Sequence, residues 1–332
     1  MSAKFRYELV KQDYHMKLDH IAGVAVNSKE EVIICGRTRP DTPIVIFDKH
    51  GKFQRYFGKG LIGDPHGVCV DDQDNIYVTD GRRHVVFKFN SEGELLMTLG
   101  NLDQPSDSGC VNGDFKTVKC GVPPFYAPGK TAIRKSNGHI YVADGYGNTS
   151  VHHFSAEGEL LHSWGEPGTK PGQFHILHGI GIDQDNGDVY ICDRENERVQ
   201  IFDENGNLKK VWDGFYRPSD VVIKNGYIYV GEIGQMFFVD NVLYEPGSKR
   251  HWSQVRVFDM EYNEITVIGT SDCGAHGSFF AVHGLAVTDS DELYVCEVAW
   301  PIGEWVTAWP IAEGVYPPSY THSYLQKFRR VE

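Results

Sequence analysis

Three short stretches repeat one piece of chemistry along the chain: "DPHGVCVDD" at 64–72, "LHGIGIDQD" from Leu177 and "VHGLAVTDS" from Val282. Each sets a His-Gly pair before a short apolar run, so His66, His178 and His283 each stand at the entrance of a β-strand. One such histidine is ordinarily a hydrogen-bonded polar residue. Three in the same register form a ligand set, because three imidazoles hold a metal such as zinc and leave a coordination position for water or substrate, a catalytic rather than structural pattern. Two arginines and a tyrosine occupy a second shared register: Arg37 in "ICGRTRP", Arg194 in "ICDRENERVQIF" and Tyr146 in "VADGYGN". Guanidinium forks match carboxylate oxygens. Each arginine would serve equally as a salt bridge to a neighbouring acid, and Tyr146 equally as a rim side chain.

The elements that position these residues are repeats. Second strands read "EVIICG", "NIYVTDG", "HIYVADG", "DVYICDR", "YIYVGEI" and "ELYVCEV", and each is followed by a third strand ending near phenylalanine. Five units add a fourth strand, whereas the sixth stops at "LQKFRRVE". The pattern predicts an all-β, six-bladed β-propeller over residues 1–332 as one domain, with the N-terminal "KFRYELVKQ" supplying the missing strand and removing an exposed edge. First strands then line the central channel, placing His66, His178 and His283 on blades two, four and six at three-fold related points. The odd blades offer Ala22, Lys130 and Ser219 near that position. The turns after the second strands open on the same mouth. The repeated acids Asp80, Asp144, Asp193, Glu232 and Glu297 are expected to cap turns or to accept hydrogen bonds from the histidines.

A formal net charge of -13 provides no basic field for nucleic acid or an anionic membrane. The N-terminal stretch lacks an apolar leader core, and no uncharged run is long enough to span a bilayer, so the expectation is a soluble cytoplasmic protein without a membrane or nucleic-acid partner. Seven cysteines fit reduced thiols; Cys110 and Cys120 share one loop and are the candidates for a bridge. Segments 101–127, 234–252 and 299–322 interrupt the repeat spacing, and the last carries Trp300, Trp305, Trp309, Tyr316 and Tyr320, the composition of a lid, an interface or a structural flap.

The repeats resemble those of NHL-repeat propellers. The blocks "HGVCVDDQDNIYVTD", "VADGYGN" and "GQFHILHGIGID…ICDRENERVQIF" further resemble the peptidyl-α-hydroxyglycine α-amidating lyases. That resemblance implies zinc on His66, His178 and His283, with Tyr146, Arg37 and Arg194 catalytic. It implies cleavage of the C–N bond of a carbinolamide, N–CH(OH)–COO⁻, to glyoxylate or a related aldehyde and an amide or amine. In this scheme the metal acidifies the substrate hydroxyl, Tyr146 takes its proton and the two arginines hold the carboxylate of a small substrate. The chain departs from the family at Gly147 and Ile201, where disulfide cysteines would stand, and at Gly284, where an aspartate would help bind calcium, which argues against a calcium site. The alternatives are a lactonase-like metal hydrolase, which would call for axial carboxylate ligands, and a non-enzymatic NHL scaffold for protein binding.

Overall fold

The computed structural model describes residues 5–14, 16, 18, 20–234, 252–269, 277–298 and 324–332. Six four-stranded antiparallel sheets form the blades of a β-propeller, and a short parallel pair, Glu166–Pro167 with Gln173–Phe174, lies outside them. Blade one runs Ile21–Val26, Val32–Gly36, Ile44–Phe47 and Phe53–Phe57, and blades two to five repeat that succession. In blade six the strands Val282–Val287, Glu292–Glu297 and Leu325–Val331 are completed by the N-terminal strand Arg6–Val10, which pairs with the C-terminal one from Arg6 opposite Val331 to Val10 opposite Lys327. Ring closure by the N-terminus is therefore as the repeat count requires.

The repeat motif explains the local structure. In "hYVxD" the tyrosine faces the seam between blades, and Tyr77, Tyr141, Tyr190, Tyr229 and Tyr294 are all buried. Between third and fourth strands the side chains of Asp48, Asn90, Asp203 and Asp259 accept backbone N–H groups two and four residues on. That arrangement offers the backbone a ready-made turn. Second strands are buried throughout or at all but their first residue, whereas the fourth strands "FQRYF" and "LLHSW" are exposed or half-buried along their length. The 101–127 segment carries a 3-10 turn at Phe115–Thr117 and packs on the Tyr146 turn, where the Gly147 N–H donates to the Tyr126 carbonyl at 2.9 Å. Cys110 and Cys120 are free thiols, hydrogen-bonded to the carbonyls of Asp114 and Ser108. The aromatic 299–322 segment, nearly all of 234–252, and Cys273 lie outside the described residues.

Candidate functional site

The three histidines sit where the axial strand slips against its neighbour. Pairing jumps from Pro65–Asp80 to Gly67–Thr79, from Leu177–Asp193 to Ile180–Ile191, and from Val282–Glu297 to Gly284–Cys296. A bulge of this kind re-aims the extra side chain, here toward the axis. His66, His178 and His283 are buried, with ring centroids 4.5–5.0 Å apart, and their ligand atoms lie within 4.8 Å of one another.

Each Nδ1 reaches a carbonyl of the following odd-numbered blade: His66 to Gly129 at 3.0 Å, His178 to Ser219 at 2.6 Å and His283 to Ala22 at 2.6 Å. A carbonyl only accepts, so Nδ1 carries the proton and Nε2 presents its lone pair. Burial, reinforced by Arg37 at His66 and by the other imidazoles at His178 and His283, holds all three well below the usual histidine range. The set is neutral, as a metal requires of imidazole ligands. The buried Nε2 of His178 has no hydrogen-bond partner among the described residues, a cost of about 1–3 kcal/mol that a bound ion would remove. The donor set thus fits a zinc-type ion.

The backbone register corrects one expectation. Lys130 pairs with Ala143, as Gly67 pairs with Thr79, Asp220 with Gly231 and Gly284 with Cys296. Lys130 therefore belongs one layer below the histidines, and Gly129 matches Ala22 and Ser219. In that lower layer four positions are glycine, at Gly23, Gly67, Gly179 and Gly284, and the remaining two are Lys130 and Asp220. The glycines make room: a Cβ on Gly67 would stand 2.9 Å from Lys130 Cγ, and one on Gly284 would stand 3.4 Å from Lys130 Nζ. Lys130 crosses the channel to Asp220 Oδ2 at 2.6 Å and donates to the His283 carbonyl at 2.9 Å. The chain's own ammonium therefore occupies the space beside Gly284.

Tyr146, Arg194 and Arg37 do gather at the mouth. The Tyr146 hydroxyl is 3.0 Å from His66 Nε2 and 3.2 Å from Arg194 Nη1. Arg37 forms two bonds of 2.7 Å to Asp64, the salt-bridge alternative, while its charge acts on both His66 and Tyr146. Arg194 shares Glu195 with Arg217, each at 2.8 Å, and the two cations hold that carboxyl below its ordinary range despite burial. Glu195 and Arg217 were not legible as site residues, since neither lies in the repeated register. The repeated acids do not bond the ring nitrogens of His66, His178 or His283, although Asp144 Oδ2 lies 3.5 Å from His152 Nε2. Instead they cap the segment entering their own blade: Asp80 accepts Gly63 and Asp64 N–H, Asp144 accepts Tyr126, Asp193 accepts His175, and Glu297 accepts Phe280 and Ala281.

Comparison with known proteins agrees with this architecture. The NHL repeat model matches residues 63–89 and 174–202, the segments that carry His66, His178 and Arg194. The chain is 29% identical to peptidyl-alpha-hydroxyglycine alpha-amidating lyase 1 of Drosophila melanogaster, over 79% of this chain and 48% of the relative. It is 33% identical to peptidyl-glycine alpha-amidating monooxygenase A of Xenopus laevis, over 59% of this chain and 21% of the relative. The matches thus span from about a fifth to about half of those relatives' lengths. A solved streptogramin B lyase structure superposes with a TM-score of 0.59 at 12% identity, covering 99% of this chain and 98% of that one, a likeness of fold. This chain is a six-bladed β-propeller that carries NHL repeats at residues 63–89 and 174–202 and resembles the peptidyl-α-hydroxyglycine α-amidating lyases.

Proposed function

We propose that the chain is a metal-dependent carbon–nitrogen lyase that splits a carboxylate-bearing carbinolamide, N–CH(OH)–COO⁻, into glyoxylate or a related aldehyde and an amide or amine. The observation that carries the reading is the set of three neutral imidazoles with the Tyr146 hydroxyl 3.0 Å from His66 Nε2 and 3.2 Å from Arg194 Nη1. His66, His178 and His283 would hold Zn²⁺, which when bound supplies Lewis acidity to the substrate's hydroxyl oxygen.

The remaining roles belong to the chain. Tyr146 relays the proton from that hydroxyl to the departing nitrogen: the O–H electrons close the C=O bond, the C–N pair leaves with nitrogen, and no water is consumed. Arg194 fixes the phenol by its Nη1 hydrogen bond. Arg37, oriented by Asp64, and Arg194 present guanidinium edges to the substrate carboxylate. Cytoplasmic placement belongs to the same proposal and rests on Cys35, Cys192 and Cys296, which pack in the core as small apolar side chains.

The test is elemental analysis of purified chain and of His178→Ala, together with an assay for glyoxylate from N-acyl-α-hydroxyglycines. The expected outcome is about one equivalent of zinc, lost in the variant along with glyoxylate release. Wild-type protein that resists zinc loading and releases no glyoxylate would remove the lyase assignment.

A further inference from the structure

The two guanidiniums at the mouth are compensated differently. Arg37 forms two bonds of 2.7 Å to Asp64, one cation to one carboxylate. Arg194 donates from Nε to Glu195 Oε1 at 2.8 Å, but the same oxygen also accepts Arg217 Nη2 at 2.8 Å and Arg217 Nε at 3.2 Å. Two cations therefore share one carboxylate. Three guanidiniums against two carboxylates leave one positive charge in this group, on a chain whose formal net charge is -13. That charge lies on the Arg194 side, against Tyr146: Arg194 Nη1 reaches the Tyr146 hydroxyl at 3.2 Å, and its guanidinium carbon is 5.5 Å from the Tyr146 ring centroid. The Arg194 and Arg217 side chains are 11% and 16% exposed, so salt and solvent screen the group weakly.

The ring itself places Arg217 there. It stands one residue before the axial strand Pro218–Lys224, where blade two has Asp64 before Pro65–Val70. The two positions are equivalent: the Ile233 N–H donates to the Arg217 carbonyl at 3.1 Å, as the Gly81 N–H donates to the Asp64 carbonyl at 3.0 Å. Blade two thus gives Arg37 an acid, whereas blade five gives the acid of Arg194 a second base. Resting on the lyase assignment, we infer that Arg217 is a positioning residue for the substrate carboxylate. By holding Glu195 it keeps that acid from neutralising Arg194, and the Arg194 fork stays charged beside Tyr146, where the carboxylate of the reacting carbon docks. Without Arg217, Arg194 and Glu195 would close into a neutral pair of the kind that Arg37 and Asp64 form, and the group would keep no charge for an anion.

Binding of stable analogues to the zinc-loaded protein tests this charge apart from turnover. In calorimetric titrations N-acetylglycine carries the carboxylate and N-acetylglycinamide lacks it. Arg217→Met should weaken N-acetylglycine roughly tenfold or more, the scale of a charge-assisted contact, and leave N-acetylglycinamide within about twofold. Arg217→Lys should recover most of the loss. So should Arg217→Met combined with Glu195→Gln, because removing the acid frees Arg194 again, whereas damage to the fold would weaken both ligands and would not be repaired by a second substitution. In the glyoxylate assay Arg217→Met should raise KM on the same scale with kcat within about threefold, the pattern of lost uniform binding. Unchanged N-acetylglycine binding in Arg217→Met, equal weakening of both analogues, or a double variant no better than the single would overturn the role of Arg217. A carboxylate-selective loss in Arg217→Met, with no glyoxylate released from N-acetyl-α-hydroxyglycine by the wild type, would instead count against the lyase assignment and leave Arg217 standing as an anion-positioning residue.

Discussion

Replacing Lys130 with methionine probes the layer under the histidines most directly. Lys130 and Asp220 are 7% and 5% exposed, and the pair is surrounded by glycine positions and strand backbone rather than by water. Asp220 also accepts the Leu285 N–H at 2.8 Å and the Val221 N–H at 3.0 Å, so Lys130→Met leaves a carboxylate with two backbone donors and no counter-charge. Removing one partner of a buried pair costs about 3–5 kcal/mol, and an unfolding midpoint in urea, followed by two probes, should record a loss on that scale. Burial raises the Asp220 carboxyl above the usual range even with Lys130 present. An acid whose folded pKa is raised binds its proton more tightly folded than unfolded, so its penalty is largest at high pH and fades as the pH falls toward the unfolded value. The variant's deficit should therefore shrink on acidification. Lys130→Met combined with Asp220→Leu should recover most of the loss, because an uncharged pair of similar volume leaves no stranded ion. Zinc affinity should fall on the order of tenfold in the single variant, since the His283 carbonyl loses its donor. A single variant within about 1 kcal/mol of wild type, or a double variant no better than the single, would refute the role of the buried Lys130–Asp220 pair.

The other predictions concern catalysis and acid stability. Tyr146→Phe should retain zinc and lower kcat by roughly 10²–10⁴-fold, the usual worth of a positioned proton-transfer group; an unchanged kcat in a steady-state glyoxylate assay removes the relay. His153 stacks on Tyr141 and bonds both His139 and His162, and burial with those two imidazoles lowers it to about 4. A lowered histidine contributes stability in full above its unfolded value near 6.5 that is lost as pH drops toward 4, up to about 3 kcal/mol at roughly 1.4 kcal/mol per unit. His153→Phe keeps the stacking and should flatten that part of the stability–pH curve measured by chemical denaturation.

Much of this architecture is legible in residue type alone. The five tyrosine-bearing second strands and their blade-one counterpart "EVIICG" announce the blades because each of those tyrosines is buried at a seam, and the missing fourth strand of blade six announces the closure. The histidine set is legible because its members repeat in register. "APGKTAI" lacks the His-Gly landmark of blades two, four and six, so spacing alone sets Lys130 at the histidine level; only strand pairing moves it down one layer to meet Asp220. The Arg37–Asp64 fork and the Glu195 shared by Arg194 and Arg217 were hidden for a related reason: partners from loop and strand ends meet through the ring's curvature, not through spacing.

The alternation of histidines around the ring has a physical cause that side chains do not display. Every histidine spends its Nδ1 proton on the backbone carbonyl of the next blade, at Gly129, Ser219 or Ala22. A fourth imidazole on an odd blade would crowd the axis: at Gly129 even a Cβ would stand 2.9 Å from the His178 carbonyl oxygen. Small residues on the odd blades keep the axis open while their main chain does the orienting. The acceptors can therefore vary in side chain without loss, and Ser219→Ala should leave zinc binding intact although Ser219 supplies one of the three contacts. Its hydroxyl donates to the Val282 carbonyl at 2.7 Å, so the cost should appear as about 1 kcal/mol of stability in denaturant unfolding. Loss of zinc in that variant would mean that the side chain, and not the carbonyl, sets the geometry of His178.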